Sequence, residues 1–332
     1  MRSVILGGKG SAELAERPDP VAGAGEVVIA TAYSALCGSE LHGYRGDGMD
    51  GNSGHEAVGT VAAVGPGVSG LRLGQRVGVS AIAGCGHCAH CAAGRCTWCR
   101  EKRFYGQMHA ERFLAAASAC HLLPDDVPWQ PGVLLTGDGL GVPYHTSTKI
   151  AAAAIATVAI FGVGPIGLGN VLVQSHLGRR VLAVDPSAFR RAKAVELGAA
   201  ETIDPTAGDP AAALAKLTGG EGPDVCLECA GRPETALACF AAVRTAGTVV
   251  FNGEQGPLPL SPSEHFIRRD ITAVGAWFYH YCEFGPMLAL YRAGLRVPDL
   301  ISDVYPASQA AAAFEAFAAG RTAKVLLDWR AS

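Results

Sequence analysis

From Val4 to about Thr136 the apolar positions come in short runs, EVVIATAYSA, AVGTVAAVG and RVGV among them, rich in β-branched residues and punctuated by glycine and proline. Runs of that kind build a compact β-rich unit. MRSVIL at the start reads as a strand, without the long apolar region and small-residue cleavage site of a signal peptide. Between Gly43 and Gly54 the alternation fails, and GYRGDGMDGNSG, polar and rich in glycine, predicts a mobile loop. From about Ile150 apolar runs alternate with alanine-rich stretches. TVAIFGVGPIGLGNVLVQSHLG predicts a strand, a glycine turn and a helix, VLAVDPS a second strand, and AFRRAKAVELGA a helix. DVCLECAG, AGTVVFNG and DITAVGAW add three strands, and strands alternating with helices argue a doubly wound parallel sheet. From about Arg296 the chain is expected to rejoin the first unit through a helix in PASQAAAAFEAFAAG and a closing strand in KVLLDW. The expected α/β organisation is therefore a first domain over 1–149, a second over 150–295, and a return segment over 296–332.

Composition narrows the class. A chain of 332 residues is too long for one ordinary core, and 49% hydrophobic with 17% charged residues describes a soluble globular enzyme. A net charge of −3 gives no reason to expect nucleic acid or a membrane surface as partner. No apolar run reaches the length of a membrane span. Of the 11 cysteines, five crowd between Cys85 and Cys99, and an odd total leaves one unpaired in any disulfide scheme. Metal ligation in a reducing, cytoplasmic setting explains the spacing better.

The densest chemistry lies in CGSELHGY, Cys37 to Tyr44, where Cys37, Ser39 and His42 bring a thiol, a hydroxyl and an imidazole together. Thirteen positions past His42 comes GHE, with His55 and Glu56. A zinc that does chemistry takes three protein ligands and leaves the fourth position to water or substrate, so Cys37 and His55 need one more partner. The best candidate is Asp138 in LLTGDGLGVPYHT, with Glu56 and Cys120 as competitors; an aspartate between glycines is otherwise a turn residue. Cys85, Cys88, Cys91 and Cys99, separated by two, two and seven residues, can enclose a second, tetrahedral ion that staples a loop too short for its own core. Cys96, His87 and His90 lie in the same run as alternative ligands, whereas Cys226 and Cys229 fall on a predicted strand and read as core packing.

Gly162, Gly164 and Gly167, with Pro165 and Ile166 between them, fit G-x-G-x-x-G directly between a strand and a helix, the context of a dinucleotide site. The helix start offers free N–H groups and a positive dipole end to the pyrophosphate. Asp185, eighteen residues after Gly167, is placed to accept from the adenosine ribose hydroxyls and favours NAD over NADP. Arg190 and Arg191 follow, either countering the repulsion of a 2′-phosphate or forming a solvated helix face.

CGSELH, GHE, CGHCAHCAAGRCTWC and GVGPIG, in that order over nearly the whole chain, resemble the zinc-containing medium-chain dehydrogenase/reductase family of alcohol, polyol and threonine dehydrogenases. The resemblance implies a GroES-like barrel for the first domain and a Rossmann domain for the second. It implies two zinc ions per chain, a catalytic one on Cys37, His55 and Asp138 and a structural one on Cys85, Cys88, Cys91 and Cys99. Tyr144 and His145 follow Asp138 as in branches where an aspartate is the third ligand. By the same resemblance Ser39 hydrogen-bonds the substrate oxygen, and His42 passes the proton to solvent through the nicotinamide ribose. Glu40 stands where the family usually has an aspartate that orients the ligating imidazole. Glu56 matches an acidic neighbour of the zinc that some members use as alternate ligand, and Lys324 matches a basic residue on the pyrophosphate. Relatives are commonly homodimers or homotetramers.

Hydride transfer to NAD needs an alkoxide-like oxygen, and zinc stabilises the charge developing there. The expected activity is oxidation of a secondary alcohol, with a carbonyl reductase and a non-catalytic zinc and nucleotide regulator as alternatives. Where the family often has GGFAEY, this chain has YGQMHAERF, which brings His109, Glu111 and Arg112 to a region commonly bordering the substrate cleft. If part of this set, with Arg45, Asp47, Asp50 and Asn52 of the preceding loop, faces the metal, the substrate carries several hydroxyls or a charge, with Arg45 able to hold a carboxylate or phosphate; a polyol, sugar or cyclitol is the expected class. WFYHY, Trp277 to Tyr281, is expected to wall the pocket or to supply a subunit interface.

Overall fold

The structure, a computed structural model, describes residues 1–151 and 154–330. Ala152 and Ala153 of the expected second domain, and Ala331 and Ser332 of the return segment, lie outside the described residues. The chain divides into two compact units, Met1–Gly141 with Phe278–Ser332, and Val142–Trp277. The second unit thus ends at Trp277 rather than at 295. The aromatic run explains the early return: Tyr279 donates to the Thr136 carbonyl at 2.7 Å, Tyr281 donates to the Cys120 carbonyl at 3.0 Å, and His280 Nδ1 meets Thr97 Oγ1 at 2.8 Å.

The first unit is built on a seven-stranded sheet. Its order is Ile301–Pro306, Lys324–Asp328, Glu26–Ala35, Ala57–Val64, Arg76–Val79 and Cys120–Leu122, with Arg112–Ala116 also paired to Glu26–Ala35. All pairs are antiparallel except Ile301–Pro306 with Lys324–Asp328. The alternating valines and isoleucines of the short runs face inward: Val27, Ile29, Val61, Val77, Val79 and Phe113 are buried together. A second cluster, Val4, Leu6, Phe314, Phe317, Val325 and Trp329, packs the first strand against the helix Ala310–Ala318 and the closing strand. Register shifts at Val28/Ile29 and Thr31/Tyr33 interrupt the central pairing just before Cys37, and bulges of this kind re-aim a strand's end.

The segment from Gly43 to Gly54 is not the free loop its composition suggests. Met49 N–H donates to Leu6 O at 2.9 Å, Leu6 N–H to Gly51 O at 2.8 Å and Lys9 N–H to Gly46 O at 2.9 Å, so it lies along the first strand as a backbone-bonded strap. Gly48 makes the closeness possible: its φ is +83°, and a Cβ there would stand 2.6 Å from the Gly7 carbonyl carbon.

The second unit holds a six-stranded, wholly parallel sheet in the order Glu201–Ile203, Arg180–Val184, Thr157–Phe161, Val225–Glu228, Thr248–Phe251 and Thr272–Gly275. Numbered along the chain this is 3-2-1-4-5-6, the doubly wound order in which nucleotides bind where the strand order reverses. Glu201–Ile203 is the strand the sequence pattern missed, because three residues are too few to show a period. Among the described residues no helix is long and apolar enough to cross a membrane.

His121 is buried in the first unit, stacked on Tyr281 with ring centroids 4.2 Å apart and on Phe284 at 4.5 Å, with Nε2 3.1 Å from Tyr279 Oη. Burial lowers its pKa to about 3. Above the ordinary value near 6.5 both folded and unfolded chains carry a neutral ring. Below it the unfolded chain takes a proton that the folded chain refuses until about pH 3, so stability falls with falling pH across that window. Replacing the ring by His121→Phe is expected to flatten the pH dependence of the unfolding free energy between those values by up to about 1.4 kcal/mol per pH unit. Denaturant titrations of both proteins across the window check this, and an unchanged slope refutes it.

Candidate active site

Four side chains from separate segments converge in the first unit. Cys37 follows the strand Glu26–Ala35, His55 and Glu56 precede Ala57–Val64, and Asp138 opens the helix Asp138–Lys149. Ligand atoms of Cys37, His55, Glu56 and Asp138 all lie within 4.8 Å of one another, and all four residues are buried. His55 Nδ1 donates to Ser53 O at 2.8 Å, which turns Nε2 toward the cluster, 3.2 Å from Asp138 Oδ2, as the ring nitrogen available to a metal once it gives up its proton. Asp138 Oδ1 is buried and accepts no hydrogen bond among the described residues. An orphaned carboxylate oxygen beside a thiol and an imidazole is costly unless a cation completes it, and a sulfur, nitrogen and oxygen donor set suits zinc. Burial opposes charge on His55, but Cys37 and Asp138 outweigh it and hold its pKa well above the ordinary value.

Glu56 is engaged elsewhere. Its Oε2 accepts from Gly139 N–H at 3.0 Å, and its Oε1 takes the ammonium of Lys324. Burial opposes the Lys324 charge, and Glu56 outweighs burial to hold the pKa above its usual value. Lys324, expected on a pyrophosphate, is therefore 1% exposed with its charge neutralised beside the metal ligands. Glu56 is correspondingly the member of the cluster whose charge is already paired. Cys120, the other competitor, is absent from the cluster and buried in the sheet core, where burial raises its thiol to about 12. Ser39, in the turn Gly38–Glu40, and His42, in the short helix Leu41–Arg45, are both exposed just past Cys37, three residues apart and so on one side of the turn.

Glu40 departs from its expected part. The His55 imidazole is oriented by Ser53 O, and Glu40 Oε1 lies 3.9 Å from His55 Nδ1 while accepting from Cys37 N–H at 3.2 Å. Its Oε2 meets His109 Nε2 at 2.7 Å. His109, expected to border the substrate, is fully buried. Most of the other polar groups assigned to the cleft are likewise engaged, Asp47 being simply exposed: Glu111 pairs with Arg2 at 2.7 Å, Arg112 with Asp19 at 2.6 Å, and Asp50 with Arg17 at 2.5 Å. Arg45 donates to Ala318 O at 2.7 Å, and Asn52 is buried on Ser3, Val4 and His109. What stands beside His55 is aromatic. Phe278 and Phe104 have ring centroids 5.8 and 6.1 Å from the imidazole, and Phe104 is 55% exposed.

The sulfur atoms of Cys85, Cys88, Cys91 and Cys99 form the second group within 4.8 Å, with Cys88 and Cys91 3.5 Å apart and Cys85 N–H donating to Cys99 Sγ at 3.4 Å. Four thiols converging without a disulfide fit a tetrahedral zinc. Cys96 is outside this group, and His90 packs on Trp98; His87 forms an exposed trio with Cys85 and Glu101 that shares one cysteine.

In the second unit the turn after Thr157–Phe161 has the geometry its glycines imply. Gly162 has φ +83°, and a Cβ on Gly167 would stand 2.0 Å from Gly162 O. Gly164 caps the helix Pro165–His176, with Pro165 in its first turn and Ile166 next. Asp185 lies at the end of Arg180–Val184, its Oδ2 accepting from Val163 N–H at 2.9 Å and its Oδ1 from Ser187 N–H at 2.8 Å. Arg191 is paired with Asp204 at 3.0 Å. The Arg190 guanidinium lies over Gly164, its buried Nε without a partner among the described residues, as an anion-binding group would. Cys226 is buried in the sheet as expected of core packing.

Residues 23–125 match the model of the alcohol dehydrogenase GroES-like domain, and residues 165–293 that of the zinc-binding dehydrogenases. An L-threonine 3-dehydrogenase of Saccharopolyspora erythraea is 30% identical over 339 residues, 96% of this chain and 95% of the relative. A sorbitol dehydrogenase of Pongo abelii is 30% identical over 344 residues, 98% and 95% of the two chains. The solved alcohol dehydrogenase TADH from Thermus sp. ATN1 is 28% identical with a TM-score of 0.86, covering 99% of each chain.

Asp138→Ala is expected to lower bound zinc from about two ions per chain to about one, with the fold intact, and activity by at least about 100-fold. Cys91→Ser should mainly lower the melting temperature. Metal analysis and thermal melts of the two variants check the assignment, and retained activity in the first would reject Asp138 as ligand.

Proposed function

The chain belongs to the zinc-containing medium-chain alcohol and polyol dehydrogenase family, and from that premise we propose that it transfers a hydride between the carbinol carbon of a secondary alcohol and NAD. The observation that supports this most is the buried cluster of Cys37, His55 and Asp138, with its orphaned Asp138 oxygen, beside the exposed Ser39 and His42. When bound there, zinc supplies the Lewis acidity that stabilises negative charge on the substrate oxygen. Cys37, His55 and Asp138 hold the ion, and Lys324 keeps Glu56 from adding a further unbalanced charge to them. Ser39 accepts the substrate hydroxyl proton through its own hydroxyl, and His42, open to solvent, passes it on. The Gly162 turn and the helix start bind the pyrophosphate, and Arg190 adds a cation there. A carboxylate at Asp185, at the end of the strand after the glycine turn, supports NAD over NADP because it would repel a 2′-phosphate.

Phe104 and Phe278 flank His55 with aromatic rings, which suits a carbinol carrying an apolar or cyclic group. Arg45, Asp50 and Asn52 of the loop that suggested a polyol hold other partners, so the polyol reading rests chiefly on likeness to the sorbitol dehydrogenase. NADH production by zinc-replete protein across secondary alcohols, polyols, cyclitols and hydroxy acids, with NADP in parallel, separates these readings. Turnover of alcohols with an apolar or cyclic substituent is the expected result, and selective turnover of open-chain polyols would displace it. For the preferred alcohols Phe104→Ala is expected to raise KM about 10-fold, the loss of about 1–2 kcal/mol of apolar contact. An unchanged KM would remove Phe104 from the pocket.

A further inference from the structure

Behind the metal cluster runs a buried line of polar groups. Trp329 Nε1 donates to Ser34 Oγ at 2.9 Å, Ser34 Oγ meets His109 Nδ1 at 2.8 Å, and His109 Nε2 meets Glu40 Oε2 at 2.7 Å. At the near end Glu40 Oε1 accepts from the Cys37 backbone at 3.2 Å. All five residues are buried. The direction of every contact follows from chemistry. An indole N–H only donates and a carboxylate only accepts, so His109 carries its hydrogen on Nε2 and takes the Ser34 hydroxyl hydrogen on Nδ1. The donors run from Trp329 through Ser34 and His109 to Glu40, whose carboxylate also accepts from the Cys37 N–H and so closes the line at the metal-site end.

We propose that His109 is a positioning residue for the metal site, holding the Glu40 carboxylate against the Cys37 amide while Ser34 and Trp329 hold His109. Glutamate has one more rotatable bond than aspartate, and without a fixed partner its carboxylate would leave the amide of the ligating cysteine. His109 removes that freedom. The ligating sulfur is thereby presented at one position relative to His55, although His109 touches neither metal ligand nor substrate. Partners at this remove from a metal ion alter its affinity about 10–100-fold when lost.

The inference rests on the metal reading of the Cys37 cluster, and its test separates the two. Cobalt loaded in place of zinc reports both sites in one spectrum, because a four-thiolate site has a much stronger sulfur charge-transfer band than a one-thiolate site. Release to a competing chelator is then followed for each. His109→Leu, which removes both polar contacts, is expected to release the Cys37-site metal about 10–100-fold faster while the four-cysteine site keeps its wild-type rate and so attests the fold. His109→Gln, whose amide N–H can reach Glu40, is expected to stay within about 3-fold of wild type. Wild-type release from His109→Leu, or equal acceleration at both sites, overturns the proposal, as does a Gln variant as impaired as the Leu variant. A wild-type chain that binds metal at the four-cysteine site alone overturns the metal reading itself.

Discussion

Cys37, Glu40, Glu56 and Asp138 place a thiol and three carboxyl groups in one buried corner of the first unit, and the arrangement around them is governed by the need to offset that negative charge. Removing a charge from water costs several kcal/mol unless partners are supplied, and breaking a buried pair costs about 3–5 kcal/mol. The chain supplies a different partner to each acid. Lys324 takes Glu56, His109 takes one oxygen of Glu40 and the Cys37 amide the other, and His55 stands against Asp138. Only Asp138 keeps a buried oxygen unsatisfied, and it is the acid whose other oxygen faces the imidazole. The corner is balanced everywhere except where a cation belongs.

That balance depends on the sheet. Glu26–Ala35 delivers Ser34 and then Cys37 from the centre of the seven-stranded layer, Ala57–Val64 begins immediately after His55 and Glu56, and Lys324–Asp328 brings Lys324 alongside. Three neighbouring strands thus bring in Cys37, His55, the counter-charge and the start of the polar line, and the helix Asp138–Lys149 adds Asp138. The apolar clusters on the sheet hold these positions fixed, so a change in Val61 or Val77 reaches the site through the strands rather than by contact.

Much of this was legible in residue order. The cysteine run and GVGPIG carry their meaning in local spacing, because a tetrahedral ion and a phosphate turn are both built from nearby backbone. Cys37, His55 and Asp138 were legible as donor types, and the structure brings them together. What local pattern could not carry was the pairing of distant charges. Lys324 was matched to the pyrophosphate because nothing near it in the sequence names Glu56, its partner at the foot of another strand. His109, Glu111, Arg112, Arg45 and Asp50 read as cleft polars for the same reason, since nothing near them in the sequence names the groups they meet. Gly48 looked like flexibility, whereas it is the residue that lets two backbone segments touch. Replacement of a commonly aromatic position by His109 was the one available signal, because an imidazole in a buried stretch demands partners.

The central place of Lys324–Asp328 has a consequence for how the molecule is made. Glu56 leaves the ribosome some 268 residues ahead of the lysine that neutralises it. Throughout that interval the nascent first unit holds a sheet lacking an inner strand and an acid without its counter-ion, and before it ends the parallel sheet between Val142 and Trp277 is complete in sequence. Synthesis therefore imposes an order in which the nucleotide-binding unit matures first and the metal corner last, so that a stalled or shortened chain would present a finished Rossmann sheet joined to an unfinished metal site.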